Sequence, residues 1–384
     1  MNLKHKIFYW GPFLTPIATP KAIVNSAKSL QNYGKKYDCS IINFFGEFNK
    51  FQEDLENKDI KLINFFNHKL KNFLPKYGKL QSRLSFILIF ILSFFPLKKI
   101  ISNQKPDFFI IHLITSLPLF LLIIFKFETK FILRISGLPK LNFFRKTYWK
   151  FSNRSLFKIT TPTVSTYEHL KALNLFDEHK IKVLRDPVID IKKINSCKSE
   201  EIEDFLKNGD FILSVGRLTK QKNFQFLLNC FSELSNKYQN LKLVILGEGE
   251  EKNILKNMII KKNLKEKVFL LGFKENIFKY LSRAKFFVLS SLWEDPGWVL
   301  LEAAACNTLI LSSNCKNGPS EILENNLGGV LYQVSNKNNF IESFELLNKL
   351  NSKEIYEKKL FVKKKSHLFT KFKHFKILEK IILN

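Results

Sequence analysis

From about residue 208 onward the chain alternates short apolar runs with helical patterns, as expected of a parallel sheet wound with helices. Phe211-Ile212-Leu213-Ser214-Val215 predicts a strand, Asn223 to Lys237 a helix and Leu241 to Leu246 the next strand. A helix over Glu250 to Lys262 precedes a third strand at Val268 to Leu271. Phe286 to Leu289 and Thr308 to Ser312 continue the series, with a helix over Trp298 to Ala305 between them. This half reads as a Rossmann-like α/β domain.

The first half repeats the theme, with strands expected at Lys6 to Trp10, Cys39 to Phe44, Phe108 to His112, Phe131 to Ile135 and Lys158 to Pro162. Lys182 to Asp190 reads as a strand that breaks at Asp186-Pro187, and the polar stretch to Asp210 follows. The expected division is therefore 1–188 and 189–365, with a basic helix over 366–384 returning to brace the first domain. A length of 384 residues suits two cores of about 190 residues each.

Apolar residues make up 45% of the chain, which excludes a disordered protein. The segment Leu84 to Phe95 is apolar except for Ser85 and Ser93 and stops at Pro96, short of the ~20 residues that cross a bilayer. It fits either a buried helix or a face that dips into lipid headgroups. Neighbouring Lys71, Lys76, Lys79, Arg83, Lys98 and Lys99 support the second reading, since each cation near an anionic surface contributes on the order of 1 kcal/mol. Residues 61–160 hold 18 Lys and Arg against two acids, Asp107 and Glu128, within a net charge of +28. No recognition motif accompanies that charge, so a nucleic-acid-binding protein is the weaker alternative and nucleic acid is not an expected partner. Met1 to Trp10 has no apolar export region, and the five cysteines form no CxxC pair, so a cytoplasmic protein is expected.

The chemistry concentrates in Ser290-Ser291-Leu292-Trp293-Glu294-Asp295-Pro296-Gly297-Trp298-Val299-Leu300-Leu301-Glu302-Ala303, which leaves a strand, turns through Pro-Gly and becomes helical. Glu294 in the turn and Glu302, eight positions later, place two carboxylates beside a helix N-terminus. Free amides and the helix dipole there suit a diphosphate, and the carboxylates suit hydroxyls around it. No Asp-x-Asp stands in a cation-holding context, so no metal and no cofactor are expected.

This element resembles the E-x7-E motif of glycosyltransferase family 4, retaining enzymes of GT-B fold with two Rossmann-like domains facing each other across a cleft. Ser214 to Asn223 (SVGRLTKQKN), Leu246 to Gly249 (LGEG), Val268 to Phe273 (VFLLGF) and Asn314 to Ile322 (NCKNGPSEI) are similar to further family elements in the same order. The resemblance implies that Arg217 and Lys222 neutralise the donor diphosphate, that Glu294 holds the transferred sugar and that Glu302 binds ribose. It places Gly216, Gly247 and Phe273 along the nucleotide and the amides of Gly297, Trp298 and Val299 around the phosphates. His112 takes the position of a histidine facing the donor sugar, and Arg134, beside Ser136-Gly137, is expected to face the cleft.

Gly11 to Pro20 occupies the place of the family's acceptor loop without its usual glycines. The implied activity is retaining transfer of a hexose or N-acetylhexosamine from a UDP-sugar to a lipid-linked saccharide at the inner face of the membrane. Such acceptors serve surface polysaccharide, lipopolysaccharide or glycan biosynthesis. An epimerase or phosphorylase of the same fold is the alternative chemistry.

Overall fold

The computed structural model describes residues 4–13, 18–66, 79–139, 141–207 and 210–384, with the backbone alone for 18 and 79–83. Part of the expected acceptor loop, residues 14–17, lies outside the described residues, as do Lys71 and Lys76. The chain forms two compact units, Met1–Val188 with Lys371–Asn384, and Ile189–Thr370.

The first unit holds a seven-stranded parallel sheet: β1 (His5–Trp10), β2 (Tyr37–Asn43), β3 (Lys61–Asn64), β4 (Phe108–Ile111), β5 (Lys130–Arg134), β6 (Leu156–Thr161) and β7 (Ile181–Val183). Its spatial order is β3-β2-β1-β4-β5-β6-β7. The strands read as near-continuous apolar runs because helices cover both faces. Ile7, Tyr9, Ile41 and Ile110 pack into one core, and Phe8, Trp10, Phe109 and Leu133 into the other. Helix 371–383 lies on helix 18–33, adding Phe375, Leu378 and Ile382 to the first of these cores.

The second unit repeats the winding over six strands: β8 (Phe211–Val215), β9 (Lys242–Leu246), β10 (Val268–Gly272), β11 (Phe286–Leu289), β12 (Leu309–Ser313) and β13 (Val330–Tyr332). The order β10-β9-β8-β11-β12-β13 reverses direction between β8 and β11, and such a reversal opens a crevice at the strands' carboxyl ends. Helices 224–237, 252–261 and 337–349 share one core layer. Helix 298–305 packs instead against 278–281, 319–323 and 352–366.

The apolar segment at Leu84 corrects its expected length. The helix runs Lys79–Gln104 straight through Pro96, and its Leu84–Gln104 portion, at mean hydropathy 2.1, is long and apolar enough to cross a membrane. Proline removes one helical hydrogen bond, but buried side chains on both sides of it hold the helix. Ser85, Ile89, Ser93, Leu97 and Ile101, spaced every fourth residue, form a buried stripe. Leu84, Phe86, Ile87, Ile91 and Phe95 remain exposed, the last at 75%. An almost uniformly apolar helix carries no periodicity that tells its inner face from its outer one.

His374, on helix 371–383, is buried, with Nε2 2.8 Å from Ser26 Oγ and Nδ1 2.7 Å from the Arg185 carbonyl oxygen. Burial is the main cause that lowers its pKa from 6.5 to about 4, against the opposing pull of the Arg185 carbonyl and Asp186. The native state holds the imidazole neutral while the unfolded chain takes up a proton below about 6.5. This contribution is therefore complete above about pH 6.5 and is lost as pH falls toward 4, amounting to roughly 3 kcal/mol. In urea titrations at pH 7 and pH 4.5, the wild type is expected to lose more stability than His374→Asn. Equal losses in the two proteins would contradict this account.

Candidate functional site

Three loops at the carboxyl ends of β8, β9 and β11 meet at the reversal of the second sheet. β8 ends in Gly216, where an added Cβ would lie 2.9 Å from Cε of Lys222, so glycine leaves the lysine stem room to cross the strand end. Lys222 follows in a single 3-10 turn that closes at left-handed Asn223. Its Nζ lies 2.5 Å from Glu294 Oε1, and the two side chains are 14% and 6% exposed. Ser291 Oγ donates to the same carboxylate oxygen at 2.5 Å. Ser290 Oγ donates to the Lys222 carbonyl at 2.6 Å, and the Leu292 amide donates to the Gln221 carbonyl at 2.8 Å. The loops after β8 and β11 are thus joined by backbone and side chain alike.

After Glu294 the chain passes a cis Asp295-Pro296 bond and reaches Gly297 at φ 91°, a conformation suited to glycine. Helix Trp298–Ala305 starts there without a side-chain cap, so its first amides lack intrahelical acceptors and carry the positive end of the dipole. The Trp298 indole Nε1 is buried and has no partner among the described residues. Val299 stands in the same first turn, and half-buried Glu302 follows Trp298 by one turn on the same helix face.

Arg217 is exposed and lines, with Trp293, an open groove of about 380 Å³. Gly247 ends β9 with its amide on the Gly272 carbonyl at 2.8 Å, and Phe273, just beyond β10, is 75% exposed. Cations, an uncapped helix start and two carboxylates along one sheet edge can bind a diphosphate and the hydroxyls near it. Among the described residues, no three His, Cys, Asp or Glu side chains converge as a metal site.

His112 belongs to the first unit, immediately after β4 at that sheet's own reversal. Its amide donates to the Trp10 carbonyl at 2.8 Å, but neither ring nitrogen has a partner among the described residues. Burial, then the nearby charges of Arg134 and His374, hold its pKa well below the usual histidine range, so the ring is a neutral base. Arg134 departs from its expected place facing a cleft. Its guanidinium is buried and grips Asp186 through Nε at 3.0 Å and Nη2 at 2.5 Å, with Nη1 donating to Ser136 Oγ at 3.1 Å. A charge at the end of a buried strand needs a partner, and Asp186, three residues beyond β7 and two strands away in the sheet, supplies it.

Sequence reasoning passed over Ser291 and Asp186. Ser291 reads as the tail of a strand, and its three-residue offset from Glu294 was the available signal. Asp186 reads as a breaker before Pro187 and carries no local sign of its partner 52 positions away.

A family model described as "Glycosyl transferases group 1" matches residues 198–360. The chain is 33% identical over 316 residues to an uncharacterised glycosyltransferase of Methanocaldococcus jannaschii, covering 77% of this chain and 73% of that one. It is 30% identical over 228 residues to a Campylobacter jejuni enzyme named N-acetylgalactosamine-N,N'-diacetylbacillosaminyl-diphospho-undecaprenol 4-alpha-N-acetylgalactosaminyltransferase, covering 57% of this chain and 60% of that enzyme. The fold is similar over the full length of both chains to the crystal structure of a glycosyltransferase from Rickettsia africae, with a TM-score of 0.77 at 16% identity. The expected α/β architecture of two parallel-sheet Rossmann-like domains is borne out by that likeness and by the two sheet orders.

Proposed function

Because this chain belongs to the group 1 glycosyltransferases, we propose that its second unit binds a UDP-linked hexose or N-acetylhexosamine and transfers the sugar, with retention, to a lipid-linked saccharide. The observation that carries this reading is the Lys222–Glu294 pair beside the uncapped start of helix 298–305. Arg217 and Lys222 face the charge that builds on the leaving diphosphate, where fixed cations and amides lower the barrier most. Glu294 accepts from hydroxyls of the departing sugar, and Glu302 from the ribose. The donor's C1–O bond breaks, the acceptor oxygen bonds to C1 on the same face, and the acceptor proton passes to the leaving phosphate oxygen. Neutralisation by Arg217, Lys222 and helix amides makes the reaction independent of a divalent cation. UDP is favoured by the Asn314 to Ile322 loop, similar to that of a family branch that uses UDP-sugars.

The acceptor class is supported by the diphospho-undecaprenol saccharide named for the Campylobacter relative. The exposed apolar face of helix 79–104, with Lys98 and Lys99 on the same helix, supports peripheral seating on the anionic inner face of the cell membrane. With EDTA present, the protein is expected to transfer from a UDP-sugar to an undecaprenyl-diphosphate-linked saccharide held in phosphatidylglycerol vesicles. Activity that EDTA removes and Mg²⁺ restores would contradict the metal-free reading. Equal rates and equal cosedimentation with uncharged phosphatidylcholine vesicles would contradict the membrane reading.

A further inference from the structure

The groove of about 380 Å³ beside the donor site is lined by residues that include Arg217, Gln221, Glu251, Ile254 and Trp293. Its size falls within the ~300–1,000 Å³ of small-ligand pockets. Trp293 lines it with an indole that is 52% exposed and so open to a ligand. Glu251 also lines the groove, 3% exposed, and its Oε1 accepts from Gln225 Nε2 at 2.8 Å while Oε2 has no partner among the described residues. A buried carboxylate oxygen without a donor is rare and unfavourable, and a ligand hydroxyl is the kind of group that satisfies it.

The walls are built in advance of any ligand. The Leu218 amide donates to the Glu248 carbonyl at 2.9 Å, the Glu251 amide to the Leu218 carbonyl at 2.9 Å and Gln221 Nε2 to the Trp293 carbonyl at 2.8 Å. An aromatic side chain and hydrogen-bonding groups lining one groove suit a pyranose ring, which presents C–H bonds on one face and hydroxyls at its edge.

We propose that this groove seats a pyranose ring of the acceptor saccharide, with Trp293 under the ring and Glu251 receiving one hydroxyl. The proposal rests on the transferase reading above. Ile254 belongs to helix 252–261, in the layer away from helix 298–305, whose start and Glu302 take the diphosphate and ribose in that reading. A donor laid that way presents its sugar at Glu294, next to Trp293 in the sequence, so a ring over Trp293 stands beside the sugar to be transferred.

Saturation-transfer NMR with octyl α-N-acetyl-D-galactosaminide and, separately, UDP tests this without turnover, on the full-length wild type, Trp293→Ala and Glu251→Gln. Ring-proton signals of the glycoside are expected to fall at least fivefold in Trp293→Ala and about threefold in Glu251→Gln, while UDP signals stay within twofold. In the transfer assay the same variants are expected to raise the acceptor KM about tenfold and the donor KM less than twofold. The proposal is overturned by absent wild-type glycoside signal, by equal signals in the three proteins, or by UDP signal lost in Trp293→Ala, which gives the groove to the donor. Glycoside binding that depends on Trp293 in a protein without transfer from any UDP-sugar would instead count against the donor reading and leave the subsite standing.

Discussion

Lys222→Met is expected to slow sugar transfer by about 10²–10³-fold in a protein that still folds. Methionine keeps an unbranched stem to lie over Gly216 and removes only the ammonium group that reaches Glu294 at 2.5 Å. In the proposed mechanism that ammonium also meets the charge developing on the diphosphate, so its loss is felt mainly in the transition state and lowers kcat. Glu294→Gln keeps the volume, removes the counter-charge and weakens the grip on sugar hydroxyls, so a loss of similar size is expected. The two groups touch, and the double variant should lose far less than the product of the single losses. Either change leaves a half-buried or buried polar group short of a partner, at a cost of roughly 1–3 kcal/mol readable as a lower urea midpoint. Steady-state kcat of both single variants within threefold of wild type would remove the pair from the chemistry.

The largest stability effect is expected in the other unit, at Arg134 and Asp186. Their side chains are 6% and 2% exposed, and the pair is bidentate. Asp186→Ala removes the carboxylate and strands a guanidinium where water cannot replace it, which costs about 3–5 kcal/mol. Replacing both residues, Arg134→Met with Asp186→Leu, removes both desolvation costs and should recover most of that loss. Urea unfolding of the single and double variants separates the outcomes. A single variant within 1 kcal/mol of wild type would mean that the pair is no stabilising contact. His112 lines one small cavity together with Arg134 and Asp186.

The fold was legible where strands are long and apolar enough to need burial. β8 was expected at its observed bounds, and helix 298–305 at both of its ends, because Pro-Gly before it and an uninterrupted apolar run within it leave little choice. β3 and β13, four and three residues long at the sheet edges, were missed, since an edge strand with one neighbour requires no long apolar run. The residue types of the candidate site were legible through motif order. Their contacts were not: Lys222 and Glu294 stand 72 positions apart, and only the winding of the sheet brings them together. Arg134 shows the converse limit. A cation at a strand end reads as available to ligand until its partner is known, and the partner stands where a strand was expected to break.

The return of Lys371–Asn384 to the first unit governs the order of events during synthesis. The stretch Ile189–Thr370 is unbroken and can close its sheet as soon as it clears the ribosome. The amino-terminal lobe waits instead for its final helix, because His374 meets Ser26 across 348 positions. A released chain truncated after residue 370 should therefore carry a protease-resistant carboxyl half behind an amino half that is still open to cleavage.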